Sequence, residues 1–534
     1  MVRKMIIVCW SLVLLQPLTT TIFTSAAVQN DRQSKVLILG AGMAGIKAAE
    51  VLQSHGIDDF IILEGSNRIG GRLLSATLNS GHSVNVGPQT VNQGANWIQG
   101  TTGVRGINPV WALAKTCNLS TVTTSYDDIL YYLEGGNVTI NDSEEMVEEV
   151  WTLLEKAQEQ VNQKIENGEY PASYSLRTAL SEAGWHSNTF LKTAIEYLEY
   201  DFEYAEAPDD TSARNALDYS HHYGDVEEMV VDQRGFAHVI DCMAQKFLSQ
   251  SDTGKYNDTR LKLNAKVKEI DYTGTTFRVT TTDNDVYVSD YVICTFSVGV
   301  LQSGDVTFRP SLPAQKLAAI KKFHMTVYTN IFLKFDRKFW SYDNQFLLYV
   351  SDVRGYYTVH INIAAYHNND PNWNVLLITA LDDLAKKVES QTENETVSEI
   401  MEILRKIYGS HIPDPIDVVI PIWYNNPLFY GSYSNWPPNF TSEEFEDMGA
   451  SVDGRLYFAG EATANISNGY VQSAYVTGEA TSLCVIGVET NNNRLKDNCL
   501  GNLQSTSGGP SVLSLNNILL IIIITLITTH VALQ

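Results

Sequence analysis

Apolar residues in this chain gather into short runs that are closed by glycine or by an acid. Lys35-Val36-Leu37-Ile38-Leu39 has no polar face and predicts a strand buried on both sides in a parallel sheet. It runs into Gly40-Ala41-Gly42-Met43-Ala44-Gly45 and a helix-like segment, 46–52. A second run, Phe60-Ile61-Ile62-Leu63, ends in Glu64, and Tyr291-Val292-Ile293-Cys294 reads as another core strand. Near the far end, Leu456-Tyr457-Phe458-Ala459 closes with Gly460-Glu461. It leads through Asn468-Gly469-Tyr470-Val471 into a helix-like stretch, 472–484. Between these, 142–164 has apolar residues at helical spacing with acids among them, which predicts an amphipathic helix. Segments 326–335 and 346–350 read as strands, and short alternating strands follow Leu261-Lys262-Leu263-Asn264 and Val267.

The first glycine run has the spacing of a dinucleotide cradle. Gly40 permits the tight turn, Gly42 lets a pyrophosphate approach the backbone, and Gly45 lets helix and strand pack closely. The helix N-terminus then offers free N–H groups and the positive end of its dipole. Glu64, nineteen residues beyond Gly45, stands where an acid accepts hydrogen bonds from a ribose. Arg68-Ile69-Gly70-Gly71-Arg72 adds two glycines and two guanidinium groups beside the phosphates, an extension that a nicotinamide enzyme does not need.

Further motifs recur in a fixed order: Gly94-Ala95-Asn96-Trp97, Asp232-Gln233-Arg234-Gly235, Val298-Gly299-Val300-Leu301, Tyr328-Thr329, Tyr433-Ser434-Asn435-Trp436 and Gly460-Glu461. Together they resemble the flavin-containing amine oxidases, most closely the secreted plant-type polyamine oxidases, from about residue 35 to about residue 485. The resemblance implies an α/β fold: a Rossmann-like FAD-binding domain built from discontinuous segments, 33–119, 228–315 and 430–487, and an α+β substrate-binding domain, 120–227 and 316–429. It implies FAD contacts at Gly40, Gly42, Gly45, Glu64, Arg72, Trp97, Val267, Trp423, Glu461 and Val471. Val267 would lie at the adenine end, although the residues alone equally allow a plain core valine. No Cys or His lies in the matched flavin-facing motifs, which favours non-covalent FAD. Glu203, Tyr204, Tyr433 and Tyr470 match positions that line a substrate tunnel, while Glu206, Asp209 and Asp210 read as a solvated acidic helix end.

Three positions beside the reacting centre, Gln99, Tyr328 and Asn330, include two departures. Plant-type relatives carry a glutamate at the place of Gln99 and animal relatives a histidine. Glutamine neither takes a proton nor balances an ammonium charge. The lysine that holds a water against the flavin should follow Tyr328-Thr329, where this chain has Asn330. Lys334 shares that strand face but lies four residues on, about 13 Å at strand rise.

The two ends carry addresses. Residues 1–27 read as a signal peptide, with Arg3 and Lys4 before an apolar run. The stalk, 488–509, ends in three small residues (Ser507-Gly508-Gly509), and the spacer and apolar tail that follow match a GPI-attachment signal, 510–534, which implies a lipid anchor at the cell surface, with a plain membrane-spanning tail as the alternative. Seven Asn-x-Ser/Thr sites fit the secretory route. Removing both signals leaves about 480 residues, enough for two sizeable domains. The formal charge of −24 becomes −26 once Arg3 and Lys4 are lost, and the absence of a basic patch argues against nucleic acid. The five remaining cysteines form no CxxC pair, so no metal site is suggested.

Three functions fit these observations: an extracellular oxidase of polyamines using molecular oxygen, an oxidase of another amine or amino acid, and a weak or silent flavin-binding surface protein. Asn330 and Gln99 are the evidence for the last. Oligomeric state is not readable from the chain.

Overall fold

The computed structural model describes residues 32–79, 88–126, 129–133, 144–216, 222–340, 343–464 and 467–495. The expected signal peptide and lipid-attachment segment lie outside them. No helix among the described residues is long and apolar enough to cross a membrane.

The apolar run after Arg32 forms the strand Arg32–Leu39, paired in parallel with Phe60–Leu63 on one side and with Val286–Cys294 on the other. Alternate residues serve different layers: Val36 and Ile38 pack into one apolar cluster, Leu37 and Leu39 into another. The sheet has eight strands. Val286–Cys294 pairs antiparallel with Phe277–Thr281 along its first half and parallel with Leu456–Phe458 along its last residues. The sheet thus draws on stretches from the beginning, middle and end of the chain. The helix Met43–Ser54 covers one face against Val471–Glu489, which extends five residues past the expected end. Their contact is close, because a Cβ on Gly478 would lie 2.3 Å from the Ala44 carbonyl oxygen.

A second sheet of six strands runs in the order Asp417–Val419, Tyr328–Lys334, Val375–Leu381, Val359–Asn362, Phe346–Val350 and Ile129–Leu133. Tyr328–Lys334 is covered on both faces. Ile331 and Leu333 pack into one cluster with the helix Glu393–Tyr408, while Tyr328 and Phe332 pack into another. The expected amphipathic helix forms over Glu144–Glu166 and buries Val147, Val150, Leu154, Ala157 and Val161, a spacing of three and four residues. A separate small sheet is formed by Trp97–Gln99, Glu227–Val230 and Thr121–Thr123, in that order.

Cys117 and Cys242, 125 residues apart, form a disulfide between the helix ending at Thr116 and the helix His238–Ala244. Cys294 is free and buried in its strand, as its apolar neighbours predict.

Candidate active site

A single cavity is lined by the glycine turn and by residues of the small and six-stranded sheets. At the turn, Gly40 has φ +111°, and a Cβ there would lie 2.3 Å from Thr295 Oγ1. Gly45 does not line the cavity. A Cβ there would lie 2.0 Å from the Gly40 carbonyl oxygen, so its part is the close approach of helix to strand. Gly42 does line it, and the helix that follows has no side-chain cap and no acid in its first turn. The leading N–H groups are left for an anion. Glu64 is buried, accepting from Ala41 N at 2.7 Å and from Ser66 N at 2.8 Å. A carboxylate has about four lone-pair sites, so it braces the turn with capacity left for a ligand.

The two arginines separate. Arg72 lines the cavity and pairs with Glu461 at 2.9 Å. Arg68, expected beside the phosphates, instead donates to the carbonyls of Ile69, Leu73 and Gly71 at 3.0, 3.2 and 2.7 Å. It shapes the glycine loop and does not reach the cavity wall. Glu461 also accepts from Ser434 Oγ at 2.6 Å. Asn468 lines the same wall with Nδ2 buried and unpartnered. Val267, Trp97, Trp423 and Val471 complete this part of the lining.

The other end is aromatic and acidic. Trp97 donates to Thr124 Oγ1 at 2.9 Å and meets Phe202 edge-on, with ring centroids 6.2 Å apart. Phe202, Tyr328 and Tyr433 continue the wall. Glu203 accepts from the Tyr470 hydroxyl through its carboxylate and from Tyr433 OH at 2.7 Å through its backbone oxygen. Tyr204 lines the cavity, its hydroxyl donating to the Ala216 carbonyl. Burial raises the Glu203 carboxyl well above the usual carboxylate range, and nearby Glu227 raises it further. Burial also raises Glu227, against a hydrogen bond from Tyr126 OH at 2.7 Å.

Glu203 owes its place to an irregular turn. The π-helical segment Tyr197–Asp201 precedes Phe202–Tyr204, and Ala205 closes it at φ +55°. Single π turns recur at functional sites because they rotate the following side chains. Arg354 clamps this one, donating to Asp201 at 3.1 and 2.5 Å and to Glu196 at 2.6 Å. Glu196, fully buried, also accepts from Arg177 and from Trp185 Nε1 at 2.7 Å. Burial opposes its ionisation, yet these donors hold it below the usual range. For Asp201 burial wins over Arg354 and pushes it up to about 7.

Asn330 lines the cavity at 2% exposure. Its Nδ2 donates to the Gly94 carbonyl at 3.5 Å and its Oδ1 has no partner. Lys334, on the same strand face, is fully buried against Gln89 and away from the cavity lining. Gln99 lines the cavity, and its backbone oxygen accepts from Asn108 and Gln472. Glu206 departs from the expected solvated helix end: it is half-buried, accepts from Asn435 Nδ2 at 2.8 Å and faces His324 Nδ1 at 3.0 Å. Asp209 and Asp210 are exposed as expected.

The profile of the family described as flavin containing amine oxidoreductase matches residues 43–486. The chain belongs to this family. Polyamine oxidase 1 of Zea mays is 37% identical over 455 residues, 83% of this chain and 88% of that protein. Polyamine oxidase 7 of Oryza sativa subsp. japonica is 34% identical over 87% of this chain and 99% of that protein. A solved structure of putrescine oxidase, wild type bound to putrescine, aligns with a TM-score of 0.67 at 16% identity. It covers 85% of this chain and 99% of that one, and speaks for the fold alone.

As a flavin amine oxidoreductase the chain takes FAD, without a covalent link. Its residues fit that group: glycine positions with no room for a side chain, an uncapped helix N-terminus, a buried acid after the second strand, and an orphaned amide donor at Asn468. The lining brings together every expected site residue except Gly45 and, of the two arginines, Arg68. Sequence reasoning missed Tyr126, Phe202, Glu227 and Asn468. Glu227 carries the one signal that could have found it, since in the strand Glu227–Val230 two consecutive acids point to opposite faces.

Proposed function

We propose that this flavin amine oxidase oxidises polyamines, spermine and spermidine among them, at the extracellular face of the cell. The products would be an aldehyde, a smaller amine and hydrogen peroxide. The observation that carries this reading is a pair of carboxylates, Glu203 and Glu227, set in an aromatic wall with no unpaired cation opposite them. The only Lys and Arg among the described lining residues, Arg72 and Lys266, are held by Glu461 and Asp305 at 2.9 and 2.8 Å. Ammonium groups fit the acids and methylenes fit the rings between them. An amino-acid substrate would need a free cation for its carboxylate.

When bound, FAD would supply a hydride acceptor for the carbon next to the amine and a route for those two electrons to oxygen, leaving an imine for water to hydrolyse. Tyr433 and Tyr470 would flank the substrate chain. Asn330 would hold a water by its free Oδ1 without supplying a positive charge. That difference favours a second reading, a slow or silent flavin protein. Anaerobic addition of spermine to purified ectodomain separates the two: bleaching of the flavin band supports the oxidase, and an unchanged spectrum supports the silent protein.

The surface location is supported by the leader, the glycosylation sites and the Cys117–Cys242 disulfide, which suits an oxidising compartment. Phosphatidylinositol-specific phospholipase should release the protein from cells, and retention would count against the lipid anchor.

A further inference from the structure

Gln99 and Glu227 are direct partners in the antiparallel pair of Trp97–Gln99 with Glu227–Val230. Directly opposed residues leave a sheet on the same face with Cβ atoms about 5 Å apart, and both line the cavity. Glu228 turns the other way and accepts from Thr123 Oγ1 at 2.9 Å. Among the described residues the Glu227 carboxylate accepts one hydrogen bond, from Tyr126, and has no cation in ion-pair range. Glu203 is likewise bonded by a tyrosine and unmatched by a cation. A third group asks for a ligand: Asn330, 98% buried by its 2% exposure, lines the same cavity with an unpartnered Oδ1.

We propose that Glu227 is a cation-anchoring residue, supplying from the facing strand the charge that Gln99 lacks. With Glu203 it selects a chain bearing two or more ammonium groups. The inference rests on the polyamine reading above. It assigns the specificity to a position that the family motifs do not mark.

The test is calorimetric binding to the FAD-loaded protein, because binding is measurable whether or not turnover is fast. Ligands are spermine and a secondary monoamine of similar length. Glu227→Gln should weaken spermine about tenfold, about 1.4 kcal/mol, and the monoamine less than twofold. Gln99→Glu combined with Glu227→Gln should recover most of the spermine affinity, because the carboxylate returns to the same face of the same strand pair. Equal losses for both ligands, or no recovery in the exchanged variant, would overturn the assignment and leave the oxidase reading standing. Absence of spermine binding by the unaltered protein would overturn both.

Discussion

The two ends of the cavity differ in how their charges are answered. At the cofactor end the protein supplies the partners: Glu64 meets two backbone N–H groups, Arg72 meets Glu461, and Arg68 meets three carbonyls. At the substrate end Glu203 and Glu227 meet only tyrosine hydroxyls, and Asn330 keeps an idle oxygen. The first arrangement is rigid before anything binds. The second is complementary to a ligand that brings its own positive charge, and the cost of leaving its charges unanswered falls on the free protein.

The contrast can be broken from the substrate side first. Arg354→Met removes the cation that Glu196 and Asp201 share, and losing one partner of a buried pair costs about 3 kcal/mol at the low end. Urea unfolding should register that loss, and the surviving folded protein should still be yellow, because the clamp touches no cofactor-end residue. Next, Glu64→Ala attacks the other end. If Glu64 holds the ribose, losing that charge-assisted bond should weaken FAD retention by roughly 1.5–3 kcal/mol. Flavin released during gel filtration measures it, and unchanged retention would place the ribose partner elsewhere.

Asn330→Lys restores a positive charge where Oδ1 is now unpartnered. Stopped-flow flavin absorbance with spermine should show reduction or reoxidation faster by at least tenfold, about 1.4 kcal/mol. A slower variant would mean that the asparagine belongs to a different working arrangement.

The smallest effect is on pH. Glu203 and Glu227 hold their protons above the ordinary carboxylate value of 4.5, so the folded chain binds them more tightly than the unfolded chain. Their contribution to stability is complete below that value and is lost as pH rises through the raised ones. Spermine needs both acids ionised, so its affinity should climb a few-fold over the same window. Titrations from mildly acidic to mildly basic buffer check the sign.

The same contrast explains what could be read in advance. The cofactor end is written locally: Gly40, Gly42 and Glu64 follow the ends of two adjacent strands within twenty-five residues, and Gly40 meets a backbone requirement, φ +111° against Thr295, that only glycine satisfies. Arg68 was misread because nothing in a sequence distinguishes a guanidinium aimed at a phosphate from one folded back on its own loop. The substrate end joins residues from distant segments. Glu203 was recognisable by its motif, yet the π turn and the Arg354 clamp that hold it depend on a contact across more than a hundred and fifty residues. Glu227 was hidden for a similar reason, because its facing strand lies more than a hundred residues upstream.

The disulfide between Cys117 and Cys242 encloses both Glu203 and Glu227 within one covalent ring of chain. Tying off a ring of that size removes about 4–5 kcal/mol of freedom from the unfolded chain in the simplest entropy picture. The acidic wall is therefore part of a closed loop whose two ends are stitched helix to helix in the apolar layer beside the nucleotide sheet. Reduction of that stitch should let the loop fray while the sheet beneath it endures, making thiol exposure a gauge of how tightly the substrate wall is seated.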